Sequence, residues 1–277
     1  MSVQTLAAWL RCPNCFRELG APDAAGRVLG CETGHRFDVN RRGYVTLLPP
    51  RSRVAGDSAA MLDERDALLS SGAYTPIRDA LIEAVRPFEP RTVLDSGTGT
   101  GWYLHGLLDV LSGRARGLAS DLSPAAVARA VRGRPDVDGL VADVHAPLPV
   151  RDEAADAVTV VFAPRNPPEF ARVLRTGGVL AVVVPRPDHL AELRTVTDML
   201  DVPAGKAESV EDSLTEWFGP ASARHVSHEL PLTVGLAHQL QGMGPSAHHM
   251  AARVEASTPP LPSSVTVSVD VLAFTRR

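Results

Sequence analysis

All three cysteines of this chain fall in one short stretch, Cys12, Cys15 and Cys31, and His35 follows in the arrangement C-x2-C-x15-C-x3-H. A C-x2-C pair lets one tight turn offer two thiolates to a single ion, and a second pair of donors completes a tetrahedron. With four protein ligands no coordination position stays open, so the pattern predicts structural rather than catalytic zinc. A segment of about 40 residues buries too little apolar surface to hold a fold alone, and metal binding contributes the missing stability. The N-terminus "MSVQTLAAWL" has neither the basic start nor the apolar run of a secretory signal, and no run approaches the roughly 20 residues of a membrane span. A cytoplasmic chain with no membrane partner is therefore expected, where thiols are reduced and serve as metal ligands rather than disulfide partners.

Beyond the cysteines the chain changes character. The strand-like "GYVTLL" is closed by Pro49-Pro50, a polar connector follows, and apolar residues recur with helical spacing from Met61 to Val85, broken at "SSGAYTP". After Arg91, strands are expected at "RTVLDSG", "ARGLASD", "DGLVAD", "DAVTVVFA" and "GGVLAVVVP", with helices at "WYLHGLLDVL", "SPAAVARAVR" and "PPEFARVLR". Such alternation predicts an α/β, Rossmann-like parallel sheet with helices on both faces. Two further stretches, "RHVSHELPLTV" and "SVTVSVDVLAFTRR", read as strands able to pair antiparallel. The expected organisation is a small zinc-ribbon-like module over residues 1–50, a connector and helical segment over 51–90, and the α/β domain over 91–277.

A glycine-rich turn joins the first of those strands to its helix in "VLDSGTGTGWYLHGLL". The spacing is Asp95-x-Gly97-x-Gly99-x-Gly101, not the G-x-G-x-x-G of dinucleotide binders, and an acid precedes the first glycine. That acid would repel a pyrophosphate but not the cationic amino-acid portion of S-adenosylmethionine. Asp121 ends the next strand, where a carboxylate can accept both ribose hydroxyls, and Asp143 ends the third, where an adenine would lie. Acids and glycines in register on successive strands point to a class I methyltransferase.

Two stretches invite over-reading. "FAPRNPPE" contains an Asn-Pro-Pro, but it follows the strand end and starts a helix: Asn166 is placed to cap it, Pro167 suits its first position, and Glu169 stands where a capping box wants it. Ala163, Pro164 and Arg165 remain candidates for lining an active site, at the carboxyl edge where ligands bind. His189 follows the fifth strand at that same edge, whereas His248-His249 in "MGPSAHHM" has no third ligand nearby.

Taken in order, "CPNC…CETGHRFDVNRRGYVTLL", "GDSAAMLDERDALLSSGAYTPIRDAL" and "VLDSGTGTG" resemble the RlmA family of 23S ribosomal RNA guanine-N1 methyltransferases, over nearly the full chain. "FAPRNPPEFARVLRTGGVL" and "MGPS" are most similar to its TlrB branch, known from macrolide (tylosin) resistance. The resemblance implies zinc on Cys12, Cys15, Cys31 and His35, and S-adenosylmethionine against Tyr74, Gly99, Thr100 and His189. It also implies a homodimer that holds an RNA hairpin in a shared cleft. The chain departs from the family pattern with Ser96 after the motif aspartate and with His248 where a tryptophan is usual.

Charge is distributed accordingly. The chain totals −4, yet residues 1–53 hold eight arginines and four acids, a net of +4 that leaves −8 for the remainder. The zinc module is thus expected to be a basic platform bearing Arg36, Arg41, Arg42, Arg51 and Arg53, suited to RNA phosphates, beside an acidic catalytic domain. Two other functions suit the same motifs: a small-molecule methyltransferase with a zinc lid, and a non-catalytic RNA-binding regulator that keeps the methyltransferase fold. No residue of the sequence identifies itself as a general base.

Overall fold

The computed structural model describes residues 2–22, 26–48, 56–197, 199–219, 222–243 and 260–277. Arg51, Arg53, His248 and His249 lie outside the described residues. Helix α1 (Val3–Trp9) leads into strands β1 (Val28–Gly30) and β2 (Arg36–Asp38), which pair antiparallel across the metal-ligand turns, and then β3 (Tyr44–Thr46). The helical segment expected from Met61 to Val85 is two helices, α2 (Ala59–Ser70) and α3 (Thr75–Val85), parted at the predicted break. There follow β4 (Thr92–Ser96), α4 (Trp102–Val110), β5 (Arg116–Asp121), α5 (Pro124–Ala130), β6 (Val137–Val141), β7 (Ala155–Val161), α6 (Pro167–Val173) and β8 (Leu174–Pro185). Short helices α7 (Ala191–Arg194) and α8 (Lys206–Leu214), strand β9 (Ser222–Pro231), helix α9 (Val234–Gly242) and strand β10 (Ser264–Thr275) complete the chain.

One eight-stranded sheet runs β3-β6-β5-β4-β7-β8-β10-β9. Every neighbouring pair from β3 to β8 is parallel, and β10 runs antiparallel to both β8 and β9, so it alone is reversed. The two C-terminal strands therefore pair as their alternation suggested. Order reverses at β4, whose neighbours β5 and β7 lead to opposite sides; that is where a crevice opens at the carboxyl ends of the strands.

Because side chains alternate across a strand, each strand feeds two cores. Val93 of β4 and Val179, Ala181 and Val183 of β8 belong to a core covered by α3, α4, α5 and α9. Leu94 and the intervening Leu180, Val182 and Val184 belong to the opposite core, shared with α6 and α8. That second core also contains Leu6, Leu10, Cys12, Leu19 and Leu29. The cysteine-bearing segment thus does not hang from the sheet: it covers part of one face, in the layer a helix would otherwise fill.

Its attachments are polar as well. Buried Asp138 on β6 accepts hydrogen bonds from Thr5 Oγ1 (2.9 Å), Trp9 Nε1 (3.2 Å) and Arg116 Nη2 (3.3 Å). Arg151 donates to the carbonyls of Ala7, Leu10 and Leu19. β3 adds itself to the sheet edge beside β6, where Gly139 leaves room: a Cβ there would lie 2.6 Å from Tyr44 Cβ. No helix among the described residues is long and apolar enough to cross a membrane.

Candidate functional site

Two constellations carry chemistry. The first is local. Cys12 and Cys15 sit on a knuckle closed by Phe16 N–H donating to Cys12 O (2.8 Å), and Cys31 and His35 on a second closed by Gly34, at φ +91°, donating to Cys31 O. The four ligand atoms lie within 4.8 Å of one another. Sulfurs of Cys15 and Cys31 are 3.7 Å apart, and His35 Nδ1 lies 3.5 Å from Cys12 Sγ and 3.4 Å from Cys31 Sγ. A tetrahedral ion with bonds of about 2.3 Å to sulfur and about 2.0 Å to nitrogen requires edges of about 3.8 and 3.5 Å. The set therefore fits zinc, and zinc is a structural cofactor of this chain. The Thr33 hydroxyl stands 3.1 Å from Cys15 Sγ and 3.0 Å from Cys31 Sγ, and it lowers the Cys31 thiol to about 6.

The second constellation is assembled from distant segments around a cavity of about 660 Å³ at the carboxyl edge of the sheet. Gly97, Gly99 and Gly101 all take positive φ, at +75°, +54° and +83°, so the turn after β4 bends tightly over the cavity floor. A Cβ on Gly97 would collide with Ala163 Cβ, and that close approach locks this turn against the segment after β7. Asp95 is buried, accepting from Thr159 Oγ1 (2.6 Å) and Thr98 Oγ1 (2.7 Å), and burial pushes its carboxyl up to about 6. Asp121 accepts from the backbone N–H groups of Gly99 and Ser123, both at 2.9 Å, one on each oxygen. Each carboxylate oxygen keeps a further lone pair for a diol. Asp143 accepts from His145 N–H (2.9 Å), and with Leu122 and Ala142 it forms the wall beyond Asp121.

Tyr74 and His189 close the other end. His189 Nδ1 accepts from Ser268 N–H (3.1 Å), which leaves Nε2 as the protonated nitrogen, 3.4 Å from the Tyr74 hydroxyl. Burial drags the imidazole down to about 4, so it is neutral at physiological pH. Among the described residues Thr100 Oγ1 and Tyr103 Oη are buried on this wall with no hydrogen-bond partner. Buried polar atoms left alone are costly, so a polar occupant is expected, and the amino acid, ribose and adenine of S-adenosylmethionine match the donors and acceptors present.

The structure brings Tyr74, Asp95, Gly97, Gly99, Thr100, Asp121, Asp143 and His189 to one cavity, with Ala163 and Pro164 on its wall. Gly101 stands just behind, packed on Ala130 as the cap of α4. Arg165 is not part of the wall. The capping box expected at Asn166 and Glu169 is absent. Asn166 does precede α6, but its side chain makes no cap bond and donates instead to Val144 O (2.7 Å), tying the loop of Asp143 in place. Glu169 is drawn off by Leu148 N–H and Arg172 Nη2, both at 2.6 Å. Tertiary partners outcompete the local cap.

Two wall residues lie within stretches that carry the resemblance but were not singled out there as site residues. Arg65 of α2 lies across the glycine turn, 3.1 Å from where a Gly99 Cβ would be, paired with Asp57 and donating to Met243 O (2.8 Å). A signal was available: Met61, Arg65 and Leu69 share one helix face at i, i+4, i+8, and all three line the cavity. The other is Phe162, in left-handed backbone at φ +53° and 41% exposed.

The arginines of the front segment part company. Arg36 Nη1 donates to Cys31 O and His35 O, bracing the metal turn. Arg41 and Arg42 are exposed on a turn just before β3, toward the amino ends of the parallel strands and away from the cavity. Charge on the turn and chemistry in the cavity occupy opposite edges of the sheet.

Residues 10–53 match the family model described as "RlmA, N-terminal", a zinc ribbon, and residues 93–178 match the "Methyltransferase domain" model. A Micromonospora griseorubida protein named for 23S rRNA (guanine-N(1)-)-methyltransferase activity is 42% identical over 280 residues, 95% of each chain. The "23S rRNA (guanine(748)-N(1))-methyltransferase" of Streptomyces fradiae is 40% identical over 250 residues, 89% of this chain and 88% of its own. Among solved structures, a chain of the complex between the Haloferax volcanii Trm112 methyltransferase activator and a methyltransferase aligns with TM-score 0.53 and 20% identity. It covers 80% of this chain and 98% of its own, and it supports the fold alone.

Proposed function

The chain belongs to the 23S rRNA (guanine-N1)-methyltransferase family, and on that premise we propose how its cavity carries the reaction. The protein is an enzyme that methylates guanine N1 of 23S rRNA with S-adenosylmethionine as donor. Bound in the cavity, the cofactor supplies a methyl group activated by its sulfonium. Asp121 accepts the ribose hydroxyls, Asp143 stands at the adenine, and the backbone of Gly97 to Gly101 follows the amino-acid portion. Asp95 would receive the ammonium, and Arg65, held across the glycine turn, would face the carboxylate. Neutral His189 and Tyr74 would line the sulfonium end, where a charged imidazole would repel it.

Guanine N1 is on the pairing edge, so the base leaves its stack to enter the cavity. Its proton must depart as the methyl arrives. His189 is not the base for that proton, since its acceptor nitrogen is already bonded to Ser268 N–H. Rate enhancement rests on holding the two reactants in line.

The RNA partner is a hairpin, with Arg36, Arg41, Arg42, Arg51 and Arg53 as phosphate contacts, and its modified guanine corresponds to the one in the Streptomyces fradiae protein's name. Arg41 and Arg42 sit at the amino edge, so an RNA that touches them and the cavity together spans the sheet or two chains of a homodimer. The enzyme works in the cytoplasm, and tylosin-type resistance follows where its product accumulates.

The orphaned Thr100 and Tyr103 hydroxyls, on the same cavity wall as Asp95 and Asp121, support the cofactor part of this reading, and the likeness to the guanine-N1 methyltransferases supports the RNA part. Primer extension and nucleoside mass spectrometry on rRNA treated with enzyme and cofactor test it. One stop adjacent to a single guanine, with 1-methylguanosine in the digest, is expected. Methyladenosine, or transfer to a small metabolite only, would overturn it.

A further inference from the structure

Where β7 ends, the chain turns through a residue that is costly in two ways. Phe162 has φ +53°, a conformation glycine adopts freely and a bulky aromatic residue rarely does. Its ring is also 41% exposed, although two aromatic neighbours beside it are buried. The Phe162 ring lies 5.9 Å from the His189 ring at 27°, a stacked arrangement, and 6.1 Å from the Tyr74 ring at 53°. Its position is rigid: Phe162 N–H donates to Val183 O, and the next residue, Ala163, is wedged against Gly97 of the cofactor turn. A strained, fixed, exposed aromatic on the wall of a cavity is a poor choice for stability and a good one for receiving a flat ligand.

Resting on the rRNA methyltransferase reading, we propose that Phe162 is the face on which the target guanine stacks beside the cofactor. Stacking holds the base flat against the Phe162–His189 pair, with its pairing edge presented to the methyl donor. Phe162 contributes no proton and no charge, so it is a substrate-positioning side chain.

The test uses full-length enzyme, an rRNA hairpin fragment, and the same fragment carrying 2-aminopurine in place of the target guanine. Phe162→Leu keeps apolar bulk without a π face, and Phe162→Tyr keeps the face. S-adenosylmethionine affinity, measured by calorimetry, is expected to change far less than kcat/KM in both. kcat/KM for 1-methylguanine formation should fall about 10- to 100-fold in Phe162→Leu and by little in Phe162→Tyr. Quenching of the 2-aminopurine on binding should be lost only in Phe162→Leu. Wild-type kcat/KM and quenching in Phe162→Leu would overturn the stacking role. Should the wild-type enzyme methylate another nucleobase, the guanine reading fails by itself and the same variants are scored on that base.

Discussion

The metal site and the cavity were built by opposite means. Four zinc ligands come from residues 12 to 35, and the backbone turns that present them are closed by bonds within the same stretch. The cavity wall draws on residues from Gly56 to Met243, on nearly every loop at one edge of the sheet. A local site tolerates change elsewhere but not in its ligands. A dispersed site survives the weakening of any one wall residue but depends on the whole sheet being in register. Yet the local site is not isolated: Cys12 and Leu19 share a core with Leu94 and Val158, and β3 extends the sheet.

That shared core makes the first way to break the comparison also the largest. Cys31→Ser removes one of four ligands, and zinc contributes about 10–16 kcal/mol to the folding of small modules. Because the module covers one face of the sheet, the whole chain should melt earlier, by roughly 10 °C or more, in a single transition. Calorimetry together with metal analysis checks this. A separate low-temperature transition followed by an unshifted main one would show that the front segment folds by itself after all.

Within the cavity the effects are graded. Asp121→Ala removes the acceptor proposed for both ribose hydroxyls and also frees Gly99 and Ser123 N–H groups. S-adenosylmethionine affinity should weaken by about 10- to 100-fold, with zinc content untouched. Equal affinity in variant and wild type would remove Asp121 from the ribose site.

A smaller effect is expected from pH. Asp95 has its carboxyl raised from 3.8 to about 6 by burial, so the free fold favours the protonated acid. Its contribution to stability is fully present below 3.8 and is lost as pH rises through about 6. With Asp95 as the proposed partner of the ammonium, cofactor binding has the opposite sign, because that role needs the ionised form. Affinity should rise with pH, by at most about tenfold per unit below 6, and level off above it. Calorimetry from pH 5 to 8 measures this, and Asp95→Asn should abolish the slope.

The smallest change concerns the remote turn. Arg41→Glu and Arg42→Glu should weaken rRNA binding and lower its salt slope by about one for each phosphate no longer neutralised. kcat and cofactor affinity should not move, since the turn is at the opposite edge from the cavity. A fall in kcat would bring the two edges closer together functionally than the sheet places them.

Legibility in the sequence follows the same division. Metal ligation depends on residue type and short spacing, so Cys12, Cys15, Cys31 and His35 were legible directly. The parallel sheet was legible from periodicity, and the acids at strand ends inherit their place from it. Asn166 shows where local reasoning stops: its sequence context is that of a helix cap, and a carbonyl from a distant loop takes the side chain instead. Phe162 is silent in the sequence because nothing in "VVFAPR" marks a left-handed backbone or an exposed ring.

By itself, then, the order of residues determined a zinc knuckle, a Rossmann-like sheet and a glycine turn, because each depends on interactions within one strand, turn or helix. Only the tertiary structure decided that the knuckle serves as a covering layer of that sheet, and that Arg65 lies across the glycine turn. It also decided that Arg41 and Arg42 face away from the chemistry and Phe162 toward it. Those outcomes depend on which faces and edges meet once side chains far apart in the chain compete for the same buried space, and no short-range pattern records that competition.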